Sequence, residues 1–177
     1  PTGGWVQFHQ AGNEERTVAT WLDAAGYHSV LVGKYLNQYA ARPAGYRPPG
    51  WDRWHAFAGL NGAYYRYDLQ HTAGSTTSFG AAPRDYSTDA LRRFAEGEIK
   101  AAPDGAPLFL MFTPYAPHAP ALAAPRHLGT SPPLDPYRSP SVNEPAMVDK
   151  PEWLRDRDRI IIEQMEAFRR RQFEALR

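Results

Sequence analysis

The feature that most narrows the choice of fold is the run Leu108–Phe112 (LFLMF) with what flanks it. Five consecutive apolar residues, ended by Thr113-Pro114, suit a strand covered on both faces rather than a half-exposed one. A helical pattern precedes it over Tyr86–Ala101, with Tyr86, Ala90, Leu91 and Phe94 on one stripe and Asp85 or Ser87 to cap it. Pro103-Asp104-Gly105 supplies the turn between helix and strand. The same layout occurs earlier. A short helix over Thr17–Ala25, with Val18, Trp21, Leu22 and Ala25 at i, i+3, i+4 and i+7, ends at Gly26 and is followed by the strand Ser29–Val32. Two helix–turn–strand units with buried strands make an α/β fold.

Open α/β sheets build their sites beyond the C-terminal ends of the strands. Here those ends deliver Gly33-Lys34 and the rigid Thr113–Pro120 loop, in which prolines surround His118. The expectation is that Lys34 and His118 converge on an anionic group.

The intervening chain is loop-rich. Seventeen prolines and fourteen glycines in 177 residues predict long, structured connections rather than a helical bundle. Tyr39–Trp54 reads as a cleft wall with Trp51 and Trp54 packed inward. His55–Phe57 and Tyr64–Leu69 read as strands around a turn at Gly59–Gly62, and His71–Pro83 as a surface excursion. Pro1–Asn13 reads as an irregular entry anchored by Trp5 and Phe8, and Ala121–Lys150 as a second long loop with Arg126 and His127 on its surface. Pro151 opens a segment that becomes a long helix to Arg177, with Ile161, Met165, Phe168 and Leu176 as its apolar face. Its Arg169, Arg170 and Arg171 alternate with Glu163, Glu166 and Glu174 and read as a solvated face.

Composition removes several function classes. A net charge of +1 gives no field for nucleic acid or a membrane surface. No apolar stretch is long enough to span a bilayer. With no cysteine there is no disulfide framework, thiolate metal site or cysteine nucleophile.

Four motifs follow one another: Gly33-Lys34-Tyr35-Leu36-Asn37, Pro48-Pro49-Gly50-Trp51-Asp52, Phe112–Pro120 (FTPYAPHAP) and Arg138-Ser139-Pro140-Ser141-Val142-Asn143-Glu144. Together they resemble the sulfatase family, on the branch of N-acetylglucosamine-6-sulfatases and related arylsulfatases. The resemblance covers nearly the whole chain. It implies an alkaline-phosphatase-like α/β/α sandwich, present as a single partial catalytic domain over 1–177, with its other parts before Pro1 and after Arg177.

The resemblance also implies a sulfuric ester hydrolase acting on sulfated sugars or aryl sulfates. Lys34 matches the lysine that contacts the sulfate. His118 matches the proline-flanked histidine near the leaving oxygen. Leu36 stands where many members carry a histidine, and Asn37 is the candidate to take over part of that role. The family's nucleophile is a formylglycine made within a C/S-x-P-S-R motif. Residues 138–142 imitate that motif with Arg138 in the nucleophile's place and Val142 in the arginine's. A divalent cation, usually Ca2+, is implied as well, with acidic ligands that this chain does not show. The expectations that follow are a fragment inactive alone, a sulfated small molecule or glycan as ligand, and the remainder of the sulfatase domain as partner. By family analogy the compartment is secreted, periplasmic or lysosome-like. Two competing readings are a non-catalytic protein that binds sulfated glycans, and a phosphodiesterase or phosphonate hydrolase of the same superfamily.

Overall fold

A computed structural model describes residues 3–59, 64–137 and 139–177. These divide into two compact units, 1–115 and 116–177, each taken by itself below.

The first unit is built on a five-stranded sheet of order β4-β3-β2-β1-β5. Its strands are β1 (His28–Gly33), β2 (Arg53–Phe57), β3 (Asp68–His71), β4 (Thr76–Ser78) and β5 (Leu108–Thr113). β1 lies parallel to both β2 and β5, whereas β3 and β4 add an antiparallel edge. The β1–β5 register runs from His28↔Leu108 to Gly33↔Thr113, so the two strands end side by side.

Alternate residues of β1 serve opposite faces, as the period of a strand requires. Val30 and Val32 join Phe57, Tyr67 and Leu69 against Ala90, Leu91 and Ala95 of helix α3 (Ser87–Ala101). Leu31 and Ala56 pack on the other face with Trp5 of α1 (Gly4–Gln10), Ala19 of α2 (Val18–Ala24) and the rings of Tyr39, Trp51 and Trp54. Helical layers on both faces of a mixed sheet confirm the α/β reading.

Pro48–Asp52 is a structural clamp. Gly50, at φ +82°, lies so close to the Ala19–Thr20 backbone that a Cβ would collide with it. Trp51 stacks on Phe109 at 5.7 Å. Asp52 Oδ2 accepts from the Ser29 N–H at 2.8 Å while the Asp52 N–H donates to Ser29 O at 2.9 Å, which fixes where β1 starts.

Several local expectations need correction. The entry is a helix, Gly4–Gln10, because Trp5 has a buried pocket to fill; its indole donates to Glu14 at 2.8 Å. Thr17 caps α2 in a capping box with Thr20, but Val18 and Trp21 are exposed and Ala19 is the buried contact. The turn that Gly50 makes against α2 admits only a small side chain there. Tyr64–Tyr67 is not strand: Arg66 sits at φ +55°, and β3 begins at Asp68. The segment after His71 contains β4, although that strand is fully exposed. Neither Asp85 nor Ser87 makes a side-chain cap to α3; Asp85 accepts from Gly80 N instead. β5 is not covered on both faces, since Met111 and Phe112 are exposed. Of the turn read at Gly59–Gly62, residues 60–62 lie outside the described residues, as does Arg138.

In the second unit the single long helix is two, α4 (Glu152–Arg155) and α5 (Ile162–Ala175). Between them Asn143 grips Ile160 in both directions, Nδ2 donating to its carbonyl at 2.8 Å and Oδ1 accepting from its N–H at 2.7 Å. That pairing takes the backbone groups a helix would need. Ala175 is buried, whereas Ile161 and Leu176 are exposed.

Candidate active site

Lys34 is the first residue past β1, and its backbone is held from both sides. Its N–H donates to Thr113 O at 2.7 Å, and Thr113 Oγ1 donates back to Lys34 O at 2.8 Å. Gly33 makes this exchange possible. It sits at φ +127°, and a Cβ there would run into the Thr113 carbonyl. The lysine side chain is half-buried, with Nζ 5.9 Å from the Tyr115 ring centroid, at the outer reach of a cation–π contact. Tyr115 in turn meets Tyr64 edge-on at 5.3 Å.

Behind Lys34 stands an aromatic wall. Tyr35 meets both Tyr39 (5.4 Å) and Trp54 (5.3 Å), and Tyr39 meets Trp54 at 5.5 Å. Burial pushes the Tyr39 hydroxyl up to about 12, with Arg42 opposing; burial, reinforced by Glu14, raises Tyr35 further. Both phenols are therefore neutral at pH 7 and put no negative charge against an anion at Lys34. The wall is tied to the sheet by Arg42, which bonds Gln70 Oε1 at 2.7 Å and Ala58 O at 2.9 Å, and by Gln70 Nε2 on Tyr46 O at 2.8 Å. The hollow lined by Lys34, Tyr35, Leu36, Tyr39, Ala40, Phe57 and Gly59 has only about 10 Å³ of water-sized space. It holds about one water, not a sugar ring.

Leu36 packs on the Trp5–Tyr39 cluster, so this position serves the core. Asn37 is exposed, and its carbonyl accepts from the Trp5 N–H at 2.6 Å, which ties α1 to the end of the Lys34 loop.

His118 belongs to the second unit and is exposed there. The Ala116–Pro117 and Ala119–Pro120 peptides on either side of it are cis. Its Nδ1 lies 2.8 Å from Ala119 O; a carbonyl only accepts, so the ring proton is on Nδ1. The His118 carbonyl accepts from Ala121 N at 2.8 Å, and Pro117 O accepts from Gln172 of α5 at 3.4 Å. Arg126 is exposed and His127 half-exposed, as surface residues are. Arg169 is engaged by Glu166 at 2.8 Å, Asp135 O at 3.1 Å and the Tyr137 ring.

Sequence reasoning assigned no role to Thr113 and Tyr115, although both stand in the motif that contains His118. Among the described residues no three His, Asp or Glu side chains come together as metal ligands do. The described residues therefore offer no ligand set for the cation that the resemblance implies.

The Sulfatase family model matches residues 2–143, and the chain belongs to that family. It is 34% identical over 127 residues to an extracellular sulfatase homologue of Caenorhabditis elegans, covering 69% of this chain and 16% of that protein. It is also 34% identical over 105 residues to the N-acetylglucosamine-6-sulfatase of Capra hircus, covering 58% of this chain and 19% of the relative. An arylsulfatase of Volvox carteri is 27% identical over 183 aligned positions, covering 88% of this chain and 27% of that enzyme. The chain thus spans between about a sixth and about a quarter of the length of these relatives.

Proposed function

We propose that this chain supplies the anion-holding and proton-donating part of a sulfuric ester hydrolase, with Lys34 and His118 as catalytic residues and Asn37 as a further substrate contact. The ligand is a sulfated sugar or aryl sulfate. A sulfate ester is a monoanion, and its leaving oxygen gains charge as the S–O bond breaks. A lysine ammonium placed against the sulfuryl oxygens stabilises that charge, and loss of one such fixed donor costs about 10²–10³ in rate. The His118 imidazole supplies a ring N–H that can be handed to the departing oxygen, a contribution of about 10²–10⁴.

One observation carries the reading. β1 and β5 are adjacent, parallel and in register to their last residues, and Lys34 and Thr113 bind each other directly there. The chain contains no C/S-x-P-S-R motif, so the nucleophile is not among its residues and the chain by itself turns nothing over. Its partner is the remainder of a sulfatase domain. The compartment is secreted, periplasmic or lysosome-like, in keeping with the relative named extracellular.

The test pairs binding with turnover. Retention on immobilised heparin should fall in Lys34→Ala and in His118→Ala, each by about tenfold in affinity, and the 177-residue chain should release no product from an aryl sulfate. Unchanged binding in both variants removes these two residues from the proposal, and turnover by the isolated chain removes its claim of inactivity.

A further inference from the structure

A second cluster of titratable groups lies in the first unit, on the α3 face of the sheet and apart from Lys34. His55 of β2 and His71 of β3 stand opposite each other in the strand register. Their Nδ1 atoms are 2.8 Å apart. His55 Nε2 is 2.7 Å from Glu98 Oε1 of α3, and His71 Nε2 is 2.9 Å from Thr77 Oγ1 of β4. Glu98 is held in turn by a fork of three hydrogen bonds from Arg53, at 3.0–3.1 Å. The Phe94 ring stacks on His55 at 4.7 Å. The charges facing the pair are thus Arg53 from β2 and Glu98 from α3, while β4 presents only a hydroxyl.

These contacts admit one arrangement of protons when both rings are neutral. A carboxylate only accepts, so His55 Nε2 carries its proton and His55 Nδ1 the lone pair. His71 must then donate from Nδ1, and its Nε2 accepts from the Thr77 hydroxyl. One added proton fits without rearrangement: it binds His71 Nε2, and Thr77 Oγ1 turns to accept it. A second does not. It would have to bind His55 Nδ1, which already faces the His71 N–H, setting two N–H groups and two positive charges head-on inside 3 Å.

We propose that the His55–His71 pair is an acid-operated latch that holds the outer end of the β3–β4 hairpin closed until both rings are charged. What it releases is local. Leu69, fully buried, keeps the middle of β3 on the sheet. The outer contacts include His71 N–H to Ser75 O, Gly74 N–H to His71 O, both 2.8 Å, and Trp54 N–H to Thr72 Oγ1 at 2.9 Å. Gln70, next to His71, holds Arg42 and Tyr46 of the aromatic wall, so opening loosens the loop beside Lys34 as well. Burial holds both imidazoles below the ordinary histidine range, in accord with a pair that resists charging.

Imidazole ¹⁵N spectra of the full chain between pH 8 and pH 4 test the latch, together with amide exchange corrected to protection factors. At pH 8 His55 should be protonated on Nε2 alone. The two rings should titrate in separate steps. The amides of Trp54, His71 and Gly74 should lose at least tenfold protection with the second step, while those of His28 and Ala90 keep theirs. His71→Gln keeps a donor for His55 but no titratable ring, and should hold the three amides protected to at least one pH unit lower. The proposal is overturned by a single shared titration step at the ordinary histidine value, by amide protection indifferent to the second step, or by an opening pH unmoved in His71→Gln. Should that variant not fold, the wild-type spectra decide alone.

Discussion

At the scale of single residues, placement of the Lys34 ammonium depends on groups that never touch an anion. The Thr113 hydroxyl reaches Lys34 O, and Gly33 leaves the space through which the two backbones meet. Thr113→Val removes one donor at constant shape and should cost about 1 kcal/mol, read as a lower midpoint in urea at unchanged slope. Gly33→Ala adds a side chain at φ +127° against a carbonyl, and should cost more than Thr113→Val. Glu14 is a different kind of anchor. It is buried and receives Trp5 Nε1 and the Tyr46 hydroxyl, with His9 Nδ1 at 2.6 Å. Glu14→Ala would leave buried donors unpaired, each at about 1–3 kcal/mol, and should free α1 first; rising Trp5 fluorescence exposure below the global unfolding midpoint would report it. Lys34 and His118 were proposed from the sequence because each follows an apolar run and a backbone constraint. Thr113, Tyr115 and the two latch histidines were not, because strand register alone brings their partners to them.

At the scale of elements, the strand cores were readable and their surroundings less so. β1 is buried along nearly its whole length because helices cover both its faces. β5 has an equally apolar sequence, but among the described residues only β1 lies beside it in the sheet, and its Met111 and Phe112 stay exposed. An apolar outer strand invites pairing with another chain. Phe112→Lys should therefore reduce concentration-dependent association in sedimentation velocity without lowering the melting temperature by more than a few degrees. Leu91→Ala, at a fully buried position of α3, should cost about 2–5 kcal/mol in denaturant unfolding. α2 shows the limit of periodicity: its apolar stripe through Val18 and Trp21 faces outward, and the residue that packs is Ala19. Helical spacing identifies a face, but only the neighbour, here the turn at Gly50, decides which side chain fits beneath it.

For the molecule as a whole, the pH dependence of stability follows from His55, which is buried, and His71, which is half-buried. His55 and His71 bind protons less readily folded than unfolded, so the unfolded chain takes up more protons below its own value of about 6.5. Their contribution is present above that pH and lost as pH falls through their lowered folded values. Burial alone would raise the Glu98 carboxyl, but the hydrogen bonds of Arg53 and His55 hold it below its usual range; its contribution is present above the unfolded value of about 4.5 and is lost as pH falls through the lowered folded one. Thermal melting followed from pH 8 to pH 4 should show the histidine loss in the wild type and a smaller one in His71→Gln. What the sequence determined alone was local: where strands and helices form, the rigid frame around His118, the absence of a thiol, and the motif order that marks the family. Those follow from hydrophobic period, proline and glycine, which act over a few residues. Tertiary structure decided that β1 and β5 are neighbours, that Thr113 grips Lys34, that Leu36 serves the core, and that two histidines sixteen residues apart share a proton. Such facts depend on strand order and register, which no short window of sequence encodes.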